Sequence, residues 1–154
     1  MRNLIIMIIV CLPILCSAQL NKNIWKASIL QGAAGFVDGA NQAYLFHYSG
    51  SMFEKWGIAP NEEAWRNKWA KDSNGNTLVG TERFPLSSTS LVFLTDFHHS
   101  TRFAYNRLNE ATVLVYAFGH RAKTKKWWWY VLDFGVMFAA RSVGFSASFD
   151  IIFK

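Results

Sequence analysis

Isolated ionisable side chains stand inside otherwise apolar stretches of this sequence, and these are the residues that could do chemistry. Asp38 lies towards the N-terminal end, Asp96 and His99 in the middle and Asp133 towards the C-terminal end. Charges in apolar helices are costly, so they usually face the interior and pair with one another. If these four side chains converged, they would resemble a hard-metal or acid–base site, and they form our candidate catalytic set.

Only the Asp96–His99 pair follows directly from spacing, because residues three apart share one face of a helix. The structural alternative is an ion-pair network in which Asp96 or Asp133 binds Arg102 or Arg141 and fixes how the helices pack. The sequence contains no HExxH motif and no serine in a Gly-x-Ser-x-Gly elbow. We therefore assign no metal ligands, and the cofactor is left unknown.

Three short runs carry a resemblance to a known family: WRNKW at 65–69, FPLSST at 84–89 and TDFHH at 95–99. A Trp-x-Asn-Lys-aromatic stretch followed by a Thr-Asp-x-x-His helix resembles an uncharacterised family of small bacterial membrane-associated proteins that has no known activity. The resemblance covers most of residues 30–150 and includes Asp96 and His99. It implies a membrane-associated architecture and leaves the function open.

The first 18 residues are typical of a signal peptide. Arg2 supplies a positive charge, residues 4–15 are apolar, and Cys16-Ser17-Ala18 offers the small residues that signal peptidase needs. The apolar run is shorter than the roughly 20 residues that a membrane-spanning helix requires. We expect cleavage before Gln19, with retention of the segment as a first membrane helix as the open alternative.

Cleavage would change what the remaining chain can do, because both cysteines, Cys11 and Cys16, lie in the leader. A mature chain of residues 19–154 would then have no disulfide, no cysteine nucleophile and no cysteine-based zinc site. It would be a single domain with 15 basic against 10 acidic side chains, hence a charge of +5. Aromatic residues make up 16% of the sequence, which suits a membrane interface. Export argues against the other partner of basic, aromatic proteins, a nucleic acid.

The hydrophobic pattern predicts an all-α fold, a small helical bundle associated with a membrane. The first helix, 23–47, carries Gly35, Gly39 and Ala43 at four-residue intervals, a small-xxx-small pattern that lets helices approach closely. A connection at 48–60 and a polar loop at about 70–88 separate it from later elements. Further helices are predicted in four places: a short one from Asn61, one at 89–106 capped by Ser87 or Ser88, one at 109–118, and one at 127–153.

The segment 127–153 leaves an alternative open, because its last twelve residues alternate apolar and polar side chains as a strand would. Too few other segments alternate to build an outer-membrane barrel, so we favour the helix. At the start of this segment, basic residues precede a block of tryptophans, as in anchors on anionic lipid. The predicted membrane-interface residues are Lys123, Lys125, Lys126, Trp127, Trp128 and Trp129.

The sequence therefore predicts an exported, membrane-associated or periplasmic protein of the bacterial envelope with a structural or interaction role. Membrane lipid is the expected partner, with a helical protein or a second copy of the chain as further candidates. The alternative is a membrane-embedded hydrolase or transferase, metal-dependent or acid–base, that acts on a lipid-like substrate through Asp96 and His99.

Overall fold

The computed structural model describes residues 20–58, 60, 68–119 and 125–153, and it is mostly helical. The predicted leader, the short helix predicted from Asn61, and Lys123 lie outside the described residues. The helices are α1 (Ile24–Phe46), α2 (Met52–Lys55), α3 (Phe97–Phe118) and α4 (Trp127–Ser146), and α4 continues as a π-helix over Ala147–Phe153. Two short strands, β1 (Trp69–Lys71) and β2 (Thr77–Glu82), form an antiparallel hairpin.

Two of the long helices match their predictions. The first was predicted at 23–47, and α1 covers Ile24–Phe46. The last, predicted at 127–153, is helical throughout, so the strand alternative for its final twelve residues is wrong. Both predictions rested on long apolar segments, whose helical form depends little on the exact position of a cap.

The predicted division of the next segment is wrong. Helices at 89–106 and 109–118 were expected, whereas α3 is one helix that begins at Phe97 and ends before Gly119. Its N-cap is Asp96, whose carboxylate accepts the backbone N–H of His99 at 2.9 Å. Ser87 is not the cap, because α3 begins ten residues later; its hydroxyl instead accepts the backbone N–H of Arg83 at 3.1 Å and donates to the carbonyl of Lys68 at 2.7 Å.

The polar loop at 70–88 contains the hairpin, which corrects the all-α class. The turn between the strands is held by Asp72, whose carboxylate accepts the backbone N–H groups of Asn74 and Asn76 at 2.9 and 2.8 Å. Gly75 adopts a positive φ of 82°, which glycine accepts without strain. Strand β2 is largely exposed on both faces, so no apolar alternation marked it in the sequence.

Helix α1 lies between α3 and α4 and packs against both. Its contacts with α4 run in the same chain direction: Gly32 lies against Ala140, and Gly39 against Phe145. Its contacts with α3 run in the opposite direction, from Asn23 near Val115 to Asn41 near His98. The bundle is therefore up–down–up, with the hairpin at the end where α1 finishes and the Gly119 end of α3 at the other.

An aromatic cluster closes the hairpin end of the bundle. Phe53 of α2 stacks on Phe153 at 4.7 Å between ring centroids and also contacts Phe97 at 4.9 Å. Tyr44 of α1 is fully buried against Phe53 and Phe97. Aromatic pairs in such tilted and stacked arrangements contribute about 0.5–1.5 kcal/mol beyond their buried area. This cluster ties the connection after α1 to the last turn of the chain.

Candidate functional site

The four candidate catalytic residues occupy three separate places along α3. Asp96 and His99 lie at its first turn, Asp38 lies beside Tyr105 near its middle, and Asp133 binds Tyr116 near its end. A helix rises about 1.5 Å per residue, so Asp96 and Tyr116 are separated by about 30 Å along the axis. Only Asp96 and His99 are brought together.

The Asp96–His99 pair is close and largely buried. Nδ1 of His99 lies 2.6 Å from one carboxylate oxygen of Asp96, which also accepts the hydroxyl of Thr95 at 2.8 Å. The other oxygen accepts the backbone N–H of His99. A carboxylate that orients an imidazole is a common acid–base arrangement, but here the same carboxylate also caps the helix.

Asp38 forms an ion pair that links all three long helices. Nη2 of Arg141 in α4 lies 3.3 Å from the Asp38 carboxylate in α1 and donates to the Tyr105 hydroxyl in α3 at 2.5 Å. The guanidinium also lies 4.9 Å from the centre of the Tyr105 ring. The sequence named Arg141 as a pairing residue for Asp96 or Asp133, whereas the structure pairs it with Asp38.

Asp133 is fully buried at the opposite end of the bundle. One carboxylate oxygen accepts the Tyr116 hydroxyl at 2.7 Å and the ammonium of Lys125, and the other accepts the backbone N–H of Asn21 at 3.3 Å. The Asn21 side chain in turn donates to the carbonyl of Tyr116 at 2.8 Å. Three donors thus bind the carboxylate, and a buried charge needs such partners.

No metal site accompanies these residues. Within residues 20–58, 60, 68–119 and 125–153, no three His, Cys, Asp or Glu side chains lie close enough together to hold a metal ion.

Two cavities flank the Asp38–Arg141 pair. The first, about 290 Å³, lies between α1 and α3 and is lined by polar side chains that include Asn41, His98 and Arg102 and by the apolar side chains of Val37, Leu45 and Phe46. The second, about 500 Å³, lies between α3 and α4 and is mainly apolar, with Phe134 and Phe138 on one wall.

The burial of α1 is inverted relative to a soluble amphipathic helix. Trp25, Ile29 and Phe36 point outward, and Ile29 is 72% exposed. The buried face carries two large side chains, Ile24 at its start and Tyr44 near its end, and between them small or polar residues: Ala27, Ser28, Ala34, Gly35, Gly39, Ala40, Asn41 and Ala43. A Cβ placed on Gly35 would lie 2.1 Å from the carbonyl oxygen of Arg141, so only glycine allows this approach of α1 to α4.

Helix α4 with its π-helical extension, Trp127–Phe153, is long and apolar enough to cross a membrane, and in the described part of the chain it is the one helix that is. Little of it is buried against the rest of the protein, and Phe134, Phe138 and Val143 are all more than half exposed. Length and composition thus suggest membrane association.

The residues predicted to lie at the membrane interface divide into an exposed group and a group that faces the protein interior. Lys126, Trp127 and Trp128 are exposed, and Trp127 is 75% exposed. Lys125 and Trp129 instead face inward, since Lys125 binds Asp133 and Trp129 is buried.

Compared with known proteins, the chain matches no family model, and no curated protein or solved structure is significantly similar to it. The family resemblance of the WRNKW and TDFHH runs therefore stays a prediction.

Sequence reasoning missed the partners that hold the carboxylates. Tyr105, Tyr116 and Asn21 are ordinary residues in the sequence and acquire their roles through contacts across at least 36, 17 and 112 positions respectively. One signal was present: Tyr105 and Tyr116 lie eleven residues apart, three helical turns, and so share one face of α3.

Proposed function

We propose that this protein is a small integral membrane protein of the cell envelope that acts by binding lipid and protein partners. The inverted burial of α1 carries the proposal. In a water-soluble bundle, the apolar stripe of a helix faces the core. In a bilayer, lipid solvates large apolar side chains, and helices associate through small and polar residues.

Packing supports a common depth for the three long helices. Gly32, Gly35 and Gly39 of α1 contact the α4 backbone over two turns, and α3 follows α1 in the opposite direction. A bilayer that surrounds α4 therefore also surrounds α1 and α3. The ion pair of Asp38 and Arg141 then lies near mid-depth, where charged residues are expected to pair inside the bundle.

The end of the bundle where α3 finishes and α4 begins has the features of a headgroup contact. Lys126, Trp127 and Trp128 are exposed there, together with Lys22 and Trp25 at the start of α1. Amphipathic rings beside cationic side chains favour the interface of a membrane that contains anionic lipid.

The outward face of α3 supports an interaction role. Arg107 and Glu110, paired at 2.6 Å, are both more than half exposed near the middle of the helix. An exposed ion pair at this depth is costly in hydrocarbon, so this face would contact a polar protein surface or water. A helical partner or a second copy of the chain is the class of protein that such a face would bind.

Two expectations about topology exclude each other. Export of the chain after its leader would place Asn21 outside, whereas the positive-inside rule would place the basic 120–126 segment in the cytoplasm. Asn21 and Lys125 bind the same carboxylate, that of Asp133, so they lie at the same end of the bundle. Two helices, α1 and α3, separate them, and an even number of crossings returns the chain to the same side.

Cysteine labelling tests the proposal. Cys11 and Cys16 would be replaced by serine, and single cysteines introduced by Ser73→Cys in the hairpin turn, Lys22→Cys and Lys126→Cys. The protein should first be shown to resist carbonate extraction from the membrane. In sealed vesicles, an impermeant maleimide should then reach positions 22 and 126 from one side and position 73 from the other. Labelling after detergent treatment checks that all three thiols react. Equal labelling of positions 73 and 126 from one side in sealed vesicles would show that the bundle does not cross the bilayer.

A second candidate function is acid–base catalysis on a lipid-like substrate, and the 2.6 Å contact of Asp96 and His99 favours it. Hydrolysis of labelled phospholipid and acylglycerol vesicles would be compared between the wild type and Asp96→Asn. Asparagine keeps the helix cap but cannot act as a carboxylate base, so loss of hydrolysis in a folded variant would support the enzyme. Absence of hydrolysis by the wild type would count against it.

A further inference from the structure

The polar cavity between α1 and α3 is richer in hydrogen-bond donors than its protein contacts require. Arg102 and Asn106 line its α3 wall, and Asn41 and Gln42 line its α1 wall. Arg102, Asn106 and Gln42 form no hydrogen bond or ion pair with any residue in the described ranges. A guanidinium offers five N–H donors and no acceptor, so the exposed Arg102 can exchange bound water for an acceptor-rich ligand.

Asn41 is oriented so that its amide nitrogen adds to these donors. Its Oδ1 accepts the hydroxyl of Thr101 at 3.0 Å and lies 2.9 Å from Nδ1 of His98. The carbonyl side of the amide is therefore occupied, and the NH₂ group is the side left for a ligand. This fixes the polarity of the α1 wall, since a buried amide whose oxygen is bound twice does not rotate freely.

The cavity lining carries one carboxylate, Asp38, and one guanidinium, Arg102, which do not pair with each other. Asp38 is the one carboxylate that lines it, and this group is already bound by Arg141 at 3.3 Å. Arg102 has no such counterion in the part of the chain that the structure describes. A ligand that matches the cavity must therefore carry negative charge and several acceptor oxygens, and arginine with neighbouring amides is a common way to bind phosphate.

We infer that this cavity binds a phosphate group, carried either on the headgroup of an anionic lipid or on a small soluble phosphate ester. Arg102 is the principal ligand, and the amides of Asn41, Gln42 and Asn106 supply further donors. The inference goes beyond the proposed function, because phosphate binding in this cavity does not depend on whether the bundle crosses a membrane. The two can fail separately.

Binding would be measured on the full chain in a non-ionic detergent by titration calorimetry or native mass spectrometry. The probes are dioctanoyl phosphatidic acid, inorganic phosphate, and dioctanoylglycerol, which has the same acyl chains without the phosphate. Arg102→Gln is compared with Arg107→Gln, a matched control on the same helix whose side chain pairs with Glu110 outside the cavity. Both substitutions change the net charge equally.

We expect phosphatidic acid to bind, dioctanoylglycerol not to bind, and Arg102→Gln to weaken the affinity about tenfold, as expected for loss of a charge-assisted hydrogen bond. Arg107→Gln should leave the affinity unchanged.

Competition by inorganic phosphate at similar affinity would identify a soluble phosphate as the ligand; failure to compete would identify a lipid headgroup. Equal losses in the two arginine variants, equal binding of dioctanoylglycerol, or no binding of either phosphate probe would overturn the inference. If Arg102→Gln loses its helical circular dichroism, Asn106→Leu, with the same expected direction, replaces it.

Discussion

A Cβ on Gly144 of α4 would lie 2.0 Å from the carbonyl oxygen of Gly32 in α1, so the two backbones touch at this point. The same helices also touch where Gly35, three residues later in α1, faces Arg141, three residues earlier in α4. This contact sets the separation of α1 and α4. It also determines whether Arg141 reaches Asp38, since both side chains project from the touching turns.

Gly144→Ala should therefore destabilise the bundle by about 1–3 kcal/mol, the usual cost of overpacking a well-packed contact. Gly135→Ala on the same helix is the matched control, because a Cβ there meets nothing within 4 Å. That control should gain up to about 1 kcal/mol from helix propensity. Thermal unfolding in detergent, followed by circular dichroism, measures both. Equal stability of the two variants would contradict the close contact.

Asp133→Ala should cost about 3–5 kcal/mol, because it leaves the nearly buried ammonium of Lys125 without a counterion. Adding Lys125→Met to this variant should recover most of the loss. Asp150→Asn, at an exposed position in the π-helical extension, is the control and should change stability by less than about 0.5 kcal/mol. A double variant no more stable than Asp133→Ala would show that the Tyr116 and Asn21 contacts, and not the ion pair, hold this end together.

Asp96→Ala should destabilise α3 by about 0.5–2 kcal/mol through loss of its N-cap, whereas Asp96→Asn should cost clearly less. The comparison separates the cap from the ion pair with His99. Denaturant unfolding gives both values. If the asparagine variant proves as unstable as the alanine variant, the carboxylate matters mainly through its charge and its contact with His99.

Acid should loosen the turn after the hairpin. Hydrogen bonds from the hydroxyl and backbone N–H of Ser88, and from the N–H of Leu86, lower the pKa of Glu82. A carboxyl whose pKa is lowered in the folded state stabilises it above the ordinary pKa of about 4.3, and this stabilisation is lost as pH falls through the lowered value.

Amide hydrogen exchange at Leu86 and Ser88, expressed as protection relative to intrinsic rates, tests this pH dependence. Protection should be constant from pH 7 to about 5 and should fall below the ordinary carboxyl pKa. Glu82→Gln should show reduced protection already at pH 7. Protection that stays unchanged from pH 7 to 3 in the wild type would rule out a role for the ionised carboxylate.

Long apolar segments were the features that the sequence predicted well. The ends of α1 and the helical state of 127–153 follow from hydrophobic runs that exceed the length of a strand. The division of α3 was wrong because caps are chosen by competition. Ser87 was a plausible cap in sequence, but in the fold its hydroxyl binds Lys68, and Asp96 caps the helix instead.

The candidate site shows the same limit. Spacing within one helix was enough to pair Asp96 with His99, because that contact is local. It could not assign Arg141 to Asp38 or Lys125 to Asp133, because each pair depends on which helix faces give contact. Several arginines and lysines were equally suitable partners by charge alone.

The sequence by itself determined the composition of the helices: they are long and apolar, they carry small residues at four-residue intervals, and they contain few charges. Local composition decides these properties, since helix formation and apolar character depend on neighbouring residues. Only the tertiary structure decided that the small residues in the middle of α1 face inward while Trp25, Ile29 and Phe36 face outward, and that Asp38, Asp96 and Asp133 lie at three separate levels of the bundle. Those outcomes depend on how three helices approach one another, and that approach is set by contacts such as Gly144 on Gly32 between residues far apart in the chain.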